Sequence, residues 1–201
     1  MIVRHQAWVA SGLLRVALIV AGLVGGGLAH ANGAADSSAA DAAPAGTQPG
    51  VWQTHQSDFW FMGFTSTYSC EGLADKLSLL LKLTGARSDS KVAPVCPGSF
   101  DRPDKFAQAK LSFASLQPPA AANAAATVPG VWRHVAWMPH RPFQLDGSDC
   151  ELMEQFRDKI LPMFATRNLN NQIACVPHQD TGDHWSLSFD VFAPVSAPDK
   201  H

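Results

Sequence analysis

The feature that most restricts the fold of this chain is an internal repeat with a spacing close to 80 residues. Five short segments or single residues have an identical or similar counterpart later in the chain, in the same order and at spacings of 76 to 81 residues. They are 50–52 with 130–132, 70–71 with 150–151, 91–93 with 172–174, Cys96 with Cys175, and 111–113 with 187–189. The constant order, with little drift in the spacing, predicts two copies of one structural unit.

The secondary-structure signals of the first copy follow the order strand, helix, strand, strand. An aromatic and threonine-rich run predicts a strand over 59–69. The leucines from Leu73 onward fall on one face of a helix that ends near Gly85. Short alternating segments then predict strands over 91–96 and 110–116.

The second copy shows the same order with more interruptions. Strands are predicted around 132–137, over 172–176 and over 185–193. Ser148 followed by Glu151 fits a capping box at the helix start, and Pro162 predicts that the helix is kinked or shortened. We therefore predict an α+β fold of tandem duplicated β-α-β-β units, with two helices on one face of an antiparallel or mixed sheet.

The segments outside the repeats differ from them in composition. Residues 1–31 combine two arginines, an apolar run and small residues before a predicted cleavage site after Ala31, which is typical of a secretory signal peptide. An uncleaved anchor is the competing interpretation, but a spanning helix needs about 20 apolar residues and this run is shorter. The predicted segments are a signal peptide over 1–31, a flexible Ala/Gly/Ser/Pro leader over 32–49, a first repeat over 50–116, a Pro/Ala linker over 117–129, a second repeat over 130–195 and a tail over 196–201.

The charge pattern argues against two classes of partner. Cleavage after Ala31 would leave 13 basic residues against 17 acidic ones, a formal charge of −4 with histidine neutral. Charges of both signs are scattered and no basic stripe occurs. Nucleic acid and anionic membrane surfaces are therefore not expected as partners, and no stable membrane span is expected after cleavage.

The four cysteines are predicted to form two disulfide bonds. Three pairings are formally open. The repeat favours Cys70 with Cys96 and Cys150 with Cys175, because the second cysteine of each unit returns to the edge where the first one lies. Each bond would stabilise its small unit by about 3 kcal/mol in the chain-entropy model. A zinc site lacks the short spacings that such sites show, and a catalytic cysteine would be expected to stand unpaired.

One segment of the first copy resembles a known group of proteins. The run FTSTYSCEGLADKL, from Phe64 to Leu77, is similar to a segment of uncharacterised exported proteins of Gram-negative bacteria. The resemblance covers roughly the first copy, through Cys96, and it implies export without implying an activity or a ligand. The second copy keeps only Cys150, Glu151 and the apolar pattern of this run.

One predicted turn gathers residues that suit a metal ion. His178, Asp180, Asp183 and His184 lie close in sequence, and imidazole with carboxylate suits zinc or copper. A solvated polar turn is the simpler interpretation, so no metal, cofactor or catalytic residue is assigned, and His178, Asp180 and His184 stay as alternative metal ligands. The Asp-Thr-Gly triplet at 180–182 matches that of aspartic proteases, but its flanks are polar and the first copy has no counterpart.

Aromatic and histidine side chains supply the other candidates. Trp52 and Trp132 occupy matched positions and are predicted to pack within or between the repeats, with a stacking platform for a flat ligand as the alternative. His55 and His134 match within one residue and are interpreted as scaffold in the same way. The tryptophans without a counterpart, which are better candidates for a binding surface, are Trp60, Trp137 and Trp185.

These observations favour binding over catalysis. No P-loop, HExxH, G-x-S-x-G or glycosylation sequon occurs in the sequence. We predict a periplasmic or secreted, non-catalytic binding or interaction module of the cell envelope, whose partner is an envelope protein or a small ligand. The alternative is a small metal-dependent or hydrolytic periplasmic enzyme that uses the turn over 178–184.

Overall fold

The computed structural model describes residues 46–96, 102–119, 127–176 and 184–195. The predicted signal peptide, residues 32–45 of the predicted leader and the predicted tail lie outside these residues. The elements in chain order are β1 (Gln48–Met62), α1 (Cys70–Thr84), β2 (Lys91–Val95), β3 (Phe106–Gln117), β4 (Val128–Trp137), α2 (Cys150–Lys159), β5 (Thr166–Gln172) and β6 (Ser186–Pro194). Two short 3-10 helices, Gly147–Asp149 and Leu161–Met163, flank α2.

The strands form one antiparallel six-stranded sheet in the order β2-β3-β1-β4-β6-β5. β1 pairs with β3 from Val51 to Met62, and β4 pairs with β6 over its last eight residues. The central contact between β1 and β4 is short, because only 48–50 and 128–130 are in register. β2 and β5 lie at the two edges of this sheet. The predicted α+β class is confirmed, and the sheet is antiparallel.

Both helices pack on the same face of the sheet and share one hydrophobic core with it. The predicted helix stripe of α1 is confirmed, since its four leucines at 73, 77, 80 and 81 are each at most 1 % exposed. Met153 and Phe156 of α2 are completely buried in the same core. Alternate residues of the strands, among them Phe59, Phe61 and Phe189, supply the sheet side. Burial of this apolar surface is the main contribution to the stability of the fold.

The first strand lies earlier in the chain than the sequence pattern predicts. β1 begins at Gln48, inside the predicted leader over 32–49, and it ends at Met62, so the predicted strand over 59–69 is wrong beyond that point. Residues 63–69 leave the sheet and lead into α1. Their aromatic and threonine content favours a strand, but a carboxylate from the second half of the chain, described below, binds their backbone instead.

Local capping sets the ends of α1. The hydroxyl of Ser69 accepts a hydrogen bond from the backbone N–H of Gly72 at 3.0 Å, so the helix begins at Cys70. At the other end, Gly85 has a left-handed conformation with φ of 94°, and its N–H group bonds back to the last turn. The predicted end of the helix at Gly85 is confirmed, because this conformation costs glycine little.

The helix of the second half starts differently from its prediction but ends as predicted. Asp146, rather than Ser148, accepts the capping hydrogen bond and forms a capping box with Asp149 at the start of the preceding 3-10 turn. α2 then ends at Lys159, and Pro162 lies in the 3-10 helix that follows. The predicted shortening by this proline is confirmed.

The fifth strand was misplaced by the sequence pattern. β5 spans Thr166–Gln172, whereas a strand was predicted over 172–176. Almost all of β5 is exposed, and it is rich in asparagine, so the strand has no apolar alternation that would reveal it. Cys175 therefore follows the strand instead of lying within one.

The predicted linker over 117–129 is shorter at both ends. β3 continues through Gln117, and β4 begins at Val128. Pro129 lies opposite Pro49 in the central pairing of the sheet. Prolines are rare inside strands, which is why the sequence pattern predicted a linker at Pro129 and a leader at Pro49.

Within the described part of the chain, no helix has both the length and the apolar character that crossing a bilayer requires.

Candidate functional site

Within the described residues, the second face of the sheet carries no helix. Along β1 the side chains alternate, so Phe59 and Phe61 enter the core while Trp60 and Met62 point to the opposite side. We call this opposite side of β1, β3 and β2 the open face. It consists of residues 56, 58, 60 and 62 of β1, residues 106, 108, 110 and 112 of β3, and residues 91, 93 and 95 of β2.

A shallow polar trough crosses the open face. One depression of about 410 Å³ is lined by residues that include Gln56, Asp58, Lys91, Lys110 and Ser112. A second depression of about 250 Å³ is also lined by Asp58 and Lys110, and it adds Trp60, Val95 and Gln108. The two depressions therefore join into one surface, called the trough below, that runs across three strands.

Three large apolar side chains lie exposed at the Trp60 end of the trough. Trp60 is 63 %, Met62 54 % and Phe106 68 % exposed. Met62 lies opposite Phe106 in the register of β1 and β3, and Trp60 is the next residue on the same side of β1. We call these three side chains the aromatic end. Apolar side chains that are exposed together, rather than singly, mark interaction surfaces.

The polar side chains of the trough have no hydrogen-bonding partner among the described residues. Asp58 and Lys110 lie opposite each other in register, and Lys91 lies on the next strand, yet they form no ion pair within the described ranges. The amides of Gln56 and Gln108 are likewise without a bond to a described residue. The trough thus presents two ammonium groups, one carboxylate, two amides and the hydroxyl of Ser112 to solvent or to a ligand.

Two tryptophan–arginine pairs lie near the middle of the sheet, on the side opposite α1 and α2. The guanidinium carbon of Arg167 is 4.2 Å from the ring centre of Trp132, and that of Arg87 is 5.7 Å from the ring centre of Trp52. Both tryptophans are only partly exposed. Because side chains of the chain itself cover part of each ring, the matched tryptophans offer less free ring surface than Trp60 does.

Two glycines at the centre of the sheet allow this packing. A Cβ atom on Gly130 would lie 2.4 Å from Cζ of Phe192, and one on Gly50 would lie 2.7 Å from Cγ of Leu116. Leu116 and Phe192 are both at most 1 % exposed, although they lie outside the helix-covered core. The matched Gly-Val-Trp segments therefore correspond to a close side-chain contact at the junction of β1 and β4.

Asp190 is the centre of a polar cluster beside Trp132. It accepts hydrogen bonds from Asn168 Nδ2 at 2.7 Å and from His134 Nδ1 at 3.0 Å, and Arg167 Nε lies 3.4 Å away. The hydrogen bond from His134, followed by that from Asn168, holds the pKa of Asp190 below its ordinary value. The carboxylate is already satisfied by the chain itself, so the cluster is a structural feature.

A histidine and a serine that are distant in sequence meet on the core side of β1 and β3. His55 Nε2 is 2.9 Å from Ser115 Oγ, and the serine hydroxyl donates to the carbonyl of Met163 at 2.7 Å. The single hydroxyl proton is used in that bond, so the histidine nitrogen must donate to Ser115, which is the reverse of a nucleophile and its base. Ser115 is also fully buried, and burial lowers the pKa of His55. This pair does not form a hydrolytic site.

Glu151, at the start of α2, binds the loop after β1. Its carboxylate oxygens accept hydrogen bonds from the backbone N–H groups of Phe64, Thr65 and Ser66 at 3.0 to 3.2 Å. One turn later, the amide of Gln155 pairs with both the N–H and the C=O of Met62. We call the hydrogen bonds between the Glu151 carboxylate and the backbone of 64–66 the carboxylate clamp. The sequence pattern did not predict it, although Glu151 belongs to the repeated Cys-Glu pair.

A second buried carboxylate lies beside the clamp. Asp149 is 1 % exposed, accepts a hydrogen bond from Tyr68 and forms an ion pair with Lys76 at 2.6 Å. Burial, and then the charge of Asp149, raise the pKa of Tyr68 above its ordinary value. Since the carboxylate belongs to the second half of the chain and its partners to the first, the network joins the two halves.

The predicted disulfide pairing is confirmed. Bonds join Cys70 to Cys96 and Cys150 to Cys175, with Cα atoms 5.7 and 5.8 Å apart. No free cysteine remains among the described residues. Each bond lies within one half of the chain, and each half therefore has its own covalent link.

The predicted metal-binding turn over 178–184 lies almost entirely outside the described residues. His178, Asp180 and Asp183 lie outside the described residues, and His184 is exposed. Among the residues that are described, no three histidine, cysteine, aspartate or glutamate side chains are grouped to hold a metal ion. Trp60 is exposed on the open face, but Trp137 and Trp185 are at most 3 % exposed, so these two are core residues and not a binding surface.

Comparison of the chain with models of protein families, with curated proteins and with solved structures found no significant match.

Proposed function

We propose that the chain is an exported, disulfide-stapled, non-catalytic binding module of the cell envelope, and that it engages its partner through the open face. The observation that carries the proposal is the aromatic end. Three large apolar side chains, each more than half exposed, adjoin a trough of polar groups that have no hydrogen bond to a described residue. Binding surfaces typically combine an apolar anchor with polar groups that are available to a partner.

The strand order supports a duplicated β-α-β-β origin of this scaffold. Read from its centre outward, the sheet has β1, β3 and β2 on one side and β4, β6 and β5 on the other. In each half, one helix connects the first strand to the edge strand. We propose that a pseudo-two-fold axis passes through the central contact of β1 and β4. Only the first half carries the aromatic end, which is what divergence of one copy toward binding would produce.

Export is supported by the cysteine chemistry. All four cysteines are paired in two bonds, and such bonds persist in the periplasm and outside the cell. The segment from Phe64 to Leu77 that resembles exported proteins of Gram-negative bacteria forms the loop and the first turns of α1. The proposed location is tested by the intact mass of protein recovered from the periplasm. This mass should correspond to a chain that starts at Asn32.

Oxidative footprinting tests the proposed binding surface without knowledge of the partner. Cells and purified protein are exposed to hydroxyl radicals, and side-chain oxidation is measured by mass spectrometry. We expect Trp60, Met62 and Phe106 to be protected in the cell and labelled after purification. Phe143 is 86 % exposed on the β4–α2 connection and is the internal control, which should label equally in both samples. Equal labelling of the aromatic end in both samples would refute the proposed surface.

A further inference from the structure

We propose that the trough binds an acidic oligosaccharide, with Trp60 stacked on a sugar ring and the lysines facing its carboxylates. This inference rests on the proposed binding function and adds the chemical class of the ligand. Three properties of the trough lead to it: its unpaired polar groups, its charge and its open, extended shape.

The unpaired groups match the surface of a sugar. A sugar ring carries hydroxyl groups around its rim, and these both donate and accept hydrogen bonds. The trough offers acceptors on Asp58 and donors on Lys91 and Lys110, and the amides of Gln56 and Gln108 provide both. The C–H faces of a sugar ring are apolar, and Trp60 at the end of the trough is a rigid apolar surface with low entropy cost.

The charge of the trough favours an acidic ligand. Lys91 and Lys110 outnumber Asp58, so the trough is locally positive although the chain as a whole carries a formal charge of −2. No described carboxylate lies within ion-pairing distance of either ammonium group, and Asp89, which feels the charge of Lys91, is itself paired with Arg87. A carboxylate on the ligand would supply the missing counter-charge at short range.

The shape of the trough favours a chain of sugars over a single small molecule or a peptide strand. The two depressions are open and continuous across β1, β3 and β2, so a ligand lies along them instead of being enclosed. An extended peptide instead adds to a free strand edge. The nearest edge strand, β2, carries Pro94, which cannot donate to such a ladder.

The test is a titration followed by two-dimensional NMR of the isotopically labelled, disulfide-intact protein. The acidic probes are tetragalacturonate and an oligosaccharide that contains muramic acid, and the neutral control is the methyl ester of tetragalacturonate. We expect at least one acidic probe to shift the indole signal of Trp60 and the amide signals of 56–60 and 108–112. The methyl ester should bind about tenfold more weakly, and added salt should weaken binding of the acidic probe.

Two variants and a control locate the interaction. Trp60→Ser should weaken binding about tenfold, because the stacking surface is lost. Lys110→Gln should weaken the acidic probe about fivefold and leave the methyl ester unaffected. Both side chains are exposed and make no hydrogen bond to a described side chain, so the variants should fold. Phe143→Ser, elsewhere on the surface, should bind like the parent protein.

The outcomes separate this inference from the proposed function. If neither acidic probe shifts the trough signals, the oligosaccharide proposal is wrong. If the aromatic end is nevertheless protected in cells, the binding function stands and the ligand is of another class, such as an envelope protein. If protection in cells is absent as well, the proposed function fails together with the inference. Equal affinity for the acid and its methyl ester would overturn the charge argument.

Discussion

Glu151 links residues that are 87 positions apart in the chain, and it shows how one side chain can decide a local structure. Its side chain is largely buried, and a buried carboxylate is costly unless hydrogen bonds satisfy it. Three consecutive backbone N–H groups, of Phe64, Thr65 and Ser66, converge on it and provide those bonds. The loop therefore leaves the sheet where its own sequence favours a strand.

We expect Glu151→Gln to destabilise the protein by about 2–3 kcal/mol, because an amide nitrogen cannot accept the bonds that the second oxygen accepts. Glu154→Gln is the matched control, since Glu154 lies one turn away, is partly exposed and makes only a long ion pair of 3.8 Å with Arg157. It should change stability by less than about 0.5 kcal/mol. Chemical denaturation of both variants measures the free energy of unfolding. A midpoint for Glu151→Gln equal to that of the parent would show that the clamp contributes nothing.

Tyr68 gives a prediction at alkaline pH. It is the single tyrosine of the chain, so its ultraviolet absorbance reports one group. Its raised pKa means that the protonated hydroxyl stabilises the fold fully below the ordinary value of about 10. As the pH rises above 10, only the unfolded state releases the proton, and stability falls by up to about 1.4 kcal/mol per pH unit.

The measurement is an absorbance titration of Tyr68 together with unfolding curves. Tyrosinate should appear only as the protein unfolds. Tyr68→Phe should lack this part of the pH dependence, although it is less stable at neutral pH because Asp149 loses a donor. Ionisation near pH 10 in the folded protein would contradict the assignment of this hydroxyl to Asp149.

Among the elements, those with an apolar period were predictable and those without one were not. α1 was correctly placed because leucines at helical spacing and a terminal glycine both mark it. β5 was misplaced because its exposed, polar residues show no alternation. The end of β1 was misplaced because its signal is local, whereas the group that ends it comes from α2. Propensity yields to a tertiary contact in such cases.

The candidate site was predictable only in part, for a related reason. The sequence singled out Trp60, but it singled out Trp137 and Trp185 equally, and only the position on the two-sided sheet distinguishes them. Polar residues of the trough, such as Asp58 and Lys110, are ordinary outward residues of a strand. Their meaning depends on the register that brings β2, β3 and β1 together.

The disulfide bonds stabilise each helix against its edge of the sheet. Cys70 opens α1 and Cys96 follows β2, while Cys150 opens α2 and Cys175 follows β5. The two bonds close loops of 26 and 25 residues. Replacing either pair by two alanines should therefore cost a similar amount, about 3 kcal/mol. Thermal and chemical unfolding measure this, with the parent protein in strong reductant as a second comparison. An unchanged melting point in reductant would contradict the stapling role.

At the scale of the whole molecule, the two halves are not independent domains. One hydrophobic core contains residues from β1, α1 and β3 as well as from β4, α2 and β6. Glu151 and Asp149 bind groups of the first half, and the guanidinium of Arg133 donates to the carbonyl of Leu83 at 2.8 Å. These contacts supplement a β1–β4 pairing of only three register pairs. The cohesion of the molecule therefore comes from the core and the buried carboxylates more than from the sheet.

The shared core and the buried carboxylates predict how the protein behaves when its chain is cut between the halves. A protease site placed between residues 119 and 127 would separate the two halves, and neither disulfide bond would hold the fragments together, because each lies within one fragment. We expect the cut fragments to elute together in size-exclusion chromatography and to separate only in denaturant, since the shared core stays buried.

The same cut made in the Glu151→Gln variant should lower the affinity between the fragments by about the free energy that the substitution costs the intact chain. Glu154→Gln should leave that affinity unchanged. If the cut fragments separate in native buffer, each half folds as its own domain, and the carboxylate clamp is a surface contact. If they stay together in both variants with equal affinity, the core alone joins the halves. Only a selective loss in the Glu151 variant shows that the clamp and the core act together.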